Sequence, residues 1–188
     1  LYSQITKGRI TMKIDKYTQI STKKGDKGTS KNYSNEEFLK DDIVFELVGT
    51  IDELSSLLGV TYHYSSFKEE IKAIQRVLQT INSLVATTDE DRRAQLVQVS
   101  AKDVQYLEEL EQTLLKGLSI ERIFVLPGSE ASKDKAYLHL SRAVTRRAER
   151  VLVRYVKSKE RTDLYEALSY VNRLSDLLFI MASETIVE

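Results

Sequence analysis

The chain has 188 residues, 41% hydrophobic and 30% charged, and its 28 basic residues equal its 28 acidic ones. This is the composition of a globular domain with a substantial core, and it excludes a largely disordered chain. A net charge of zero lacks the basic excess expected of a general nucleic-acid or membrane-surface binder. The absence of cysteine excludes disulfides, thiolate metal sites and cysteine nucleophiles, and two histidines argue against a histidine-based zinc site.

No apolar stretch approaches the roughly 18 residues that cross a bilayer, and the N-terminal residues lack the apolar segment of a secretory signal. The sequence therefore predicts neither a membrane nor a nucleic-acid partner. Seven glycines and one proline interrupt the chain, which favours long helices with few connections. We expect one domain over 1–188, with a polar N-terminal loop over 12–40 and a helical bundle over 41–183.

The segment 21–31, called here the lysine loop, differs from the helical pattern that follows it. It is rich in lysine, hydroxyl residues and glycine, including Thr22, Lys23, Lys24, Gly25, Ser30 and Lys31. Glycine lets successive backbone N–H groups turn toward one anion, lysine supplies charge, and hydroxyls supply short donors. The segment is not a Walker A loop, because no Gly-Lys-Ser/Thr stands at the required spacing. It is either a phosphate-binding loop or a flexible surface loop.

Apolar residues at three- and four-residue steps predict three helices over the next part of the chain. The first begins at Asp41 and Asp42 and runs to about Tyr62, with Gly49 and Gly59 inside it. A glycine within a helix costs about 1 kcal/mol relative to alanine, so each is expected to have a packing or ligand reason. The acids Asp52 and Glu53 project near Gly49, either toward a ligand or simply into solvent.

The second and third helices carry an apolar stripe and no pattern that suggests chemistry. Ser66 to Glu69 reads as a capping box that opens the second helix, and 87–93 reads as a loop. The third helix is expected to begin near Ser100, with Asp103 three residues later and Gly117 just past its end.

Residues 123–126 form a short extended apolar run that a Pro-Gly turn ends before the next helix. Phe124 within it is either a core residue or the wall of a pocket. The helix itself is predicted over 136–155. Its apolar stripe is Leu140, Val144, Ala148, Val151 and Tyr155, and its other side carries Arg142, Arg146, Glu149 and Arg150. Such a cationic side is either a solvated surface or a prepared anion site.

The last helix is predicted over 163–183 and is apolar nearly all round, as in the centre of a bundle or at a subunit contact. Its polar strip is short: Ser169, Asn172, Arg173 and Asp176. Buried helices must find partners for polar groups, so we expect Asn172 and Asp176 to meet the arginines or a ligand. The predicted architecture is an all-α bundle of five helices with the lysine loop at one end.

Five segments stand in a familiar order and spacing. They are Thr22-Lys23-Lys24-Gly25-Asp26-Lys27-Gly28; Lys40-Asp41-Asp42 with Gly49-Thr50-Ile51-Asp52-Glu53; Phe124-Val125-Leu126-Pro127-Gly128; Arg142 to Arg150; and Asn172-Arg173-Leu174-Ser175-Asp176. Together they resemble the corrinoid adenosyltransferases of the PduO type, which transfer an adenosyl group from ATP to cob(I)alamin. The resemblance covers nearly the whole chain after Met12.

The resemblance implies a ferritin-like up-down five-helix bundle that forms a homotrimer with active sites between subunits. It also implies transfer of the 5′-deoxyadenosyl group of ATP to the cobalt of cob(I)alamin, with release of triphosphate and with Mg²⁺ bound to ATP. A flavoprotein reductase and an acceptor enzyme that uses adenosylcobalamin are further implied partners. The location would be intracellular: cytoplasmic in a bacterium, or the mitochondrial matrix in a eukaryote.

The family's site residues transfer to matching positions here. Those implied to hold the triphosphate are Thr22, Lys23, Lys24, Gly25, Ser30, Lys31 and Lys40. Those implied to hold the rest of ATP and its Mg²⁺ are Arg146, Arg147, Ala148, Glu149, Arg150 and Asn172. The implied catalytic residues are Arg142, Asp52, Phe124 and Arg146: Arg142 would pair with Asp52 across the subunit boundary, and Phe124 would press on the lower face of the corrin. The residues alone leave two alternatives open, namely a non-catalytic bundle that delivers nucleotide or corrinoid to a partner, and a purely structural bundle.

Overall fold

The structure is a computed structural model that describes residues 16–118, 126–129 and 132–183. Its described part contains a short helix, a two-stranded hairpin, five long helices and one further short helix. In chain order these are α1 (Tyr17–Ile20), β1 (Thr29–Lys31), β2 (Glu37–Leu39), α2 (Ile43–Tyr64), α3 (Lys68–Ala86), α4 (Glu90–Ala94), α5 (Ala101–Leu115), α6 (Lys133–Ser158) and α7 (Tyr165–Ser183), with a 3₁₀ turn over Thr162–Leu164 before α7. The predicted five-helix bundle is confirmed.

The core runs through the whole bundle, with α2 and α7 packed on either side of α6, α3 against α2, and α5 against α7. On α2 the predicted stripe is buried, since Leu47, Ile51, Leu54 and Leu58 are fully enclosed. At about 25 cal/mol per Å² of apolar area removed from water, these side chains supply the main drive for folding. On α7 the burial extends nearly around the helix, as its sequence predicts.

Two helix starts follow the predicted capping chemistry and one does not. Asp42 caps α2, because its carboxylate accepts a bond from the backbone N–H of Val44 at 2.9 Å. Asp103 accepts a bond from the N–H of Ser100 at 2.8 Å, which confirms the start of α5. The capping box at Ser66 is wrong: α3 begins at Lys68, and Phe67 at its N-cap has no side-chain bond to the helix.

The segment 16–40 was predicted as a polar loop, but it has regular structure, because it contains the antiparallel pair β1–β2. Thr29 stands opposite Leu39, and Lys31 opposite Glu37. The ring of Phe38 meets Phe45 of α2 edge to face at 6.4 Å, which fastens the hairpin to the start of α2. The predicted loop over 87–93 likewise contains the start of α4, which Asp89 caps.

The apolar stripe of α6 differs from its prediction at one end. Leu140 is 50% exposed, whereas Leu138 and Ser141 are fully buried. Thr61 of α2 explains the inward turn of Ser141, since the two hydroxyl oxygens lie 3.2 Å apart in the core. At this end the buried stripe therefore runs through Ser141 and Leu138, and Leu140 lies at the surface.

The corner between α6 and α7 holds a buried charged residue, Arg161. Its guanidinium donates to Asp163 at 2.8 Å, to the Tyr155 hydroxyl at 2.9 Å and to the backbone carbonyl of Leu84 at 3.1 Å. Burial opposes ionisation of Asp163, but hydrogen bonds and charge from Arg161 and the charge of Arg93 outweigh it and hold the pKa of that carboxyl below its ordinary value. The corner thus ties α6 and α7 to the end of α3.

The described helices include none that is both long and apolar enough to cross a membrane.

Gly49 lacks the packing reason that its position in α2 led us to expect. A Cβ built on Gly49 has no neighbour within 4 Å among the described residues, so none of them requires glycine there.

Candidate active site

The lysine loop folds closely around the side chain of Lys40. A Cβ built on Gly25 would stand 2.9 Å from the Lys40 ammonium nitrogen and 3.0 Å from its neighbouring carbon, so only glycine leaves room for this contact. Gly28 has a φ of 82° and its carbonyl accepts the backbone N–H of Lys40 at 2.8 Å. Two glycines therefore place the Lys40 ammonium directly against the loop, a contact that the sequence analysis did not predict.

The lysines of this loop, and Lys40 beside it, have no acidic partner in the described part of the chain. Lys23, Lys24, Lys31 and Lys40 make no ion pair there, although the chain has as many acidic as basic residues. The side chains of Thr22, Lys23, Lys24, Lys31 and Lys40 are exposed, and Ser30 is partly buried in β1. An exposed group of unpaired ammoniums with hydroxyls beside it is suited to a polyanion.

The predicted cationic side of α6 divides into paired and unpaired residues. Arg146 and Arg150 are exposed and make no ion pair or hydrogen bond within the described residues. Arg147 instead pairs with Glu53 of α2. Ala148 is only 1% exposed, so its side chain packs in the core and is not available to a ligand. Arg146 and Arg150 are thus the guanidiniums of this segment that are free to bind an anion.

A hydrogen bond brings α6 and α7 together beside these arginines. The amide nitrogen of Asn172 donates to the Glu149 carboxylate at 2.8 Å, so the polar strip of α7 meets α6 through its acid and not through the arginines that we expected. Asp176 instead pairs with Arg173 on its own helix at 3.3 Å. The bond fixes the orientation of Asn172 and leaves its amide oxygen available as an acceptor.

Arg142 and Asp52 do not meet within the protomer. The guanidinium of Arg142 lies 5.8 Å from the ring centre of Phe179, and its Nε is buried without a hydrogen-bond partner in the described residues. Asp52 is exposed and lines a polar groove between α2 and α3 together with Gln75, Arg76 and Asn82. A buried guanidinium nitrogen with no partner is costly, and no described residue offsets this cost at Arg142.

Phe124 lies outside the described residues. The turn after it is described: the Ser129 N–H donates to the Leu126 carbonyl at 3.0 Å, and Gly128 has a φ of 86°. This is a type II turn with glycine at its third position, as the Pro-Gly pair predicts.

The two groups of unpaired cations stand at different heights on the bundle. Lys40 adjoins the start of α2, whereas Arg146 directly precedes Arg147, which pairs with Glu53, 10 residues further along α2 than Ile43. At 1.5 Å per residue, about 15 Å of helix separates these levels. No ion pair or hydrogen bond joins the two groups within the described residues.

Comparison with known proteins identifies the family. The family model described as "Cobalamin adenosyltransferase" matches residues 20–185, which include the lysine loop and all five long helices. The chain is a member of the cobalamin adenosyltransferase family.

Named relatives and solved structures agree with this membership. The corrinoid adenosyltransferase MMAB of Bos taurus is 39% identical over 181 residues, covering 92% of this chain and 73% of that protein. The corrinoid adenosyltransferase of Citrobacter freundii is 35% identical over 167 residues, covering 87% and 93%. A phenylalanine-to-alanine variant of the PduO-type ATP:corrinoid adenosyltransferase from Lactobacillus reuteri, complexed with cobalamin and ATP, has 29% identity and a TM-score of 0.76 over 87% of this chain and 91% of that one.

Sequence reasoning missed the ladder of ion pairs between α2 and α6. Glu53 pairs with Arg147, and Glu46 with Arg154 at 2.5 Å. The signal was present, because the acids are seven residues apart on one helix and the arginines seven apart on the other, as antiparallel neighbours require. The ladder identifies Arg147 as already neutralised within the protomer.

Proposed function

We propose that the chain transfers the 5′-deoxyadenosyl group of ATP to the cobalt of cob(I)alamin, which gives adenosylcobalamin and triphosphate. The observation that carries this proposal is the set of cations without acidic partners, on the lysine loop and on α6, in a member of the cobalamin adenosyltransferase family. A triphosphate leaving group needs such neutralisation when the bond to C5′ breaks.

The proposed chemistry asks for positioning and charge, and not for a nucleophile from the protein. The electron pair of cobalt(I) forms the new cobalt–carbon bond, while the C5′–oxygen bond breaks and its electrons leave with the triphosphate. The corrinoid supplies this reactivity as a substrate. The protein must hold C5′ in line with cobalt and stabilise the departing charge, for which rigid guanidiniums on a helix are suited.

We propose roles for the ATP-binding residues that agree with the contacts described above. Lys40 and the lysine loop, with Thr22, Lys23, Lys24, Gly25, Ser30 and Lys31, hold the triphosphate. Arg146 and Arg150 bind and orient the nucleotide on α6. Asn172, fixed by Glu149, presents a polar group to it. Arg147 is already paired with Glu53, so we assign it a supporting role in keeping α6 in register with α2.

Mg²⁺ is proposed to arrive with ATP and not at a site formed by the protein alone. The described residues contain no group of three or more histidine, cysteine, aspartate or glutamate side chains able to hold a metal. Mg²⁺ is commonly bound through substrate phosphates, waters and one or two carboxylates. Glu149 is the carboxylate that stands among the α6 residues proposed to hold the nucleotide.

The corrin pocket is proposed to lie between subunits of a homotrimer. Arg142 lacks a partner for its buried Nε, and Asp52 is an exposed acid without an ion pair in the described part of its own chain. Pairing between the Asp52 of one subunit and the Arg142 of the next would satisfy both groups. Phe124 would cover the lower face of the corrin at that boundary.

Formation of cob(I)alamin from a more oxidised cobalamin requires an electron donor, so a flavoprotein reductase is the proposed upstream partner. The proposed acceptor of the product is an adenosylcobalamin-dependent enzyme. The relatives occur in a bacterium and a mammal. The proposed compartments are accordingly the cytoplasm or the mitochondrial matrix.

The deciding experiment incubates the protein with ATP, Mg²⁺ and chemically reduced cobalamin. We expect adenosylcobalamin and triphosphate in equal amounts, followed by absorbance and by anion chromatography. An Arg146→Met variant should lose most of this activity, because the guanidinium acts on charge that develops as triphosphate leaves. Binding of ATP and cobalamin without either product would favour the non-catalytic delivery protein instead.

A further inference from the structure

The turn of the β1–β2 hairpin is bonded to the end of α3 through one threonine. The Asn32 amide donates to the Thr88 hydroxyl oxygen at 2.8 Å, and that hydroxyl donates in turn to the Glu36 carboxylate at 2.7 Å. Asn32 is 7% exposed, so its amide has little access to water as a substitute partner. Thr88 therefore connects both sides of the turn to the helical scaffold.

The Ser34 side chain adds a second connection at the same place. Its hydroxyl oxygen accepts the backbone N–H groups of Thr88 and Asp89 at 3.1 and 3.0 Å. The backbone N–H of Tyr33 also donates to the Ala86 carbonyl at 2.9 Å. These bonds attach the turn to Ala86 at the end of α3 and to Thr88 and Asp89 just after it.

Residues proposed to bind triphosphate lie on both sides of this turn in the sequence. Lys31 is the neighbour of Asn32, Ser30 lies one residue further along β1, and Lys40 follows β2. A strand advances about 3.3 Å per residue, so β1 and β2 reach about 10 Å from the turn to the lysine loop. The hairpin has a second attachment where Lys40 leads into α2. Without the Thr88 hydroxyl the turn keeps the bonds of Ser34 and Tyr33, but Asn32 and Glu36 lose their shared partner, which loosens the end of β1 that carries Ser30 and Lys31.

The scaffold beneath Thr88 is itself held in place by charge. Arg93 is largely buried and donates to the carbonyls of Thr87 and Thr88 at 3.4 and 3.0 Å. Its Nε also lies 3.2 Å from Asp163, which Arg161 binds from the other side. The contacts of Arg93 therefore link the hairpin turn to the corner between α6 and α7.

We propose that Thr88 is a positioning residue for ATP: its hydroxyl fixes the hairpin turn and thereby places Ser30, Lys31 and Lys40 for the triphosphate. This inference rests on the proposed function. The Thr88 side chain lies outside the core cluster of the five long helices. Its loss should therefore change ATP binding while the bundle remains folded.

The test compares Thr88→Val, which keeps the shape and removes the hydroxyl, with Thr88→Ser, which restores it, both in the full chain. Thr88→Val should raise the KM for ATP by about tenfold, because it leaves the Asn32 amide unpaired. The KM for cobalamin and kcat should stay within about twofold of wild type, and Thr88→Ser should recover most of the ATP affinity. The matched control is Thr80→Val on α3, whose hydroxyl bonds only to the carbonyl of Arg76.

Ser34→Ala provides a second variant if Thr88→Val does not fold, and should raise the KM for ATP several-fold by the same route. An unchanged KM for ATP in either variant would overturn the proposal. An equal loss in both KM values and kcat, together with a lower Tm, would overturn it as well, since that is the result of a purely structural role. If wild type shows no turnover, the proposed function fails separately, and calorimetric titration with MgATP decides about Thr88: weaker binding by Thr88→Val supports the proposal, and equal or absent binding in both proteins overturns it.

Discussion

The contact between Lys40 and Gly25 shows how one missing Cβ shapes a cationic site. The ammonium occupies space that any side chain at position 25 would fill. The two nearest atoms belong to the end of the flexible Lys40 side chain, and the backbone carbonyl oxygen of Thr29 stands 3.3 Å away, so a substitution would displace Lys40 first and press on the loop backbone. Glycine at this position therefore keeps the Lys40 ammonium against the loop.

We expect Gly25→Ala to raise the KM for ATP by roughly fivefold to tenfold, since the Lys40 ammonium must leave its place against the loop. Chemical denaturation should change by less than about 0.5 kcal/mol, as for most surface substitutions. Gly117→Ala is the matched control, because a Cβ there meets nothing within 4 Å of the described residues. A normal KM in Gly25→Ala would show that the position of Lys40 is unimportant for ATP.

Single residues were the least predictable level of the structure. Leu140 fits the helical spacing of the stripe on α6, yet Ser141, which bonds to Thr61, takes the buried position in its place. Ser66 matches a capping box in sequence, but the Ser65 side chain accepts the Phe67 N–H and the helix starts later. Both errors arise because a contact distant in sequence, or a competing local bond, overrides spacing.

At the scale of elements, a group of charged side chains lies between α5 and α7, and burial disfavours the charged form of one of them, Glu111. Burial raises the pKa of the Glu111 carboxyl from its ordinary value to about 7; the charge of Arg173 opposes the shift, while Asp176 and Glu108 add to it. Its Oε1 is buried with no hydrogen-bond partner among the described residues. Folding therefore favours the protonated form of this side chain.

The sign of the resulting pH dependence follows from proton binding. Between pH 4.5 and about 7 the folded state holds more protons at Glu111 than the unfolded state, so its contribution to stability falls as the pH rises through this window. Glu111→Gln stays neutral and should gain about 1 kcal/mol over wild type at pH 8, after allowance for solvent screening, and little at pH 4.5. Urea unfolding at both pH values measures this, with Glu109→Gln on the exposed side of α5 as control. An equal gain at both pH values would contradict the assignment.

The Arg161 corner provides a contrast between buried and exposed ion pairs. Arg161→Met should destabilise the fold by about 3–5 kcal/mol, because Asp163 and the Leu84 carbonyl lose a buried partner. Arg154→Met, which removes the exposed pair with Glu46, should cost less than about 1 kcal/mol. Guanidinium unfolding of the two variants tests the difference, and similar losses in both would disprove it.

At the scale of the whole molecule, the sequence predicts features that form along one chain better than the relative positions of distant elements. Helix number, order and core positions follow from apolar spacing, so the sequence predicted them well. The lysine loop and the arginines of α6 were also found from residue type and resemblance. Their separation of about 15 Å along α2 was not predicted, because residue type and spacing along one helix do not fix the position of another element.

A charge exchange tests the proposed subunit boundary. Asp52→Arg and Arg142→Asp should each reduce adenosyl transfer at least tenfold, since each places like charges opposite one another. The double variant should recover a substantial part of the lost activity, and sedimentation should find a trimer in wild type and in the double variant. Failure of the double variant to recover any activity, with the trimer intact, would separate these two residues.

The Lys23 backbone has a left-handed φ of 56°, which costs a side-chain-bearing residue roughly 1 kcal/mol. This cost favours brief opening of the loop whenever no ligand holds it closed. Trypsin cuts after lysine in opened chain segments, and it should therefore nick the free protein first after Lys23, Lys24 or Lys27. Saturating MgATP should slow these cuts severalfold while cleavage within the five long helices stays unchanged, so a simple digestion time course can report occupancy of the nucleotide site without any corrinoid present.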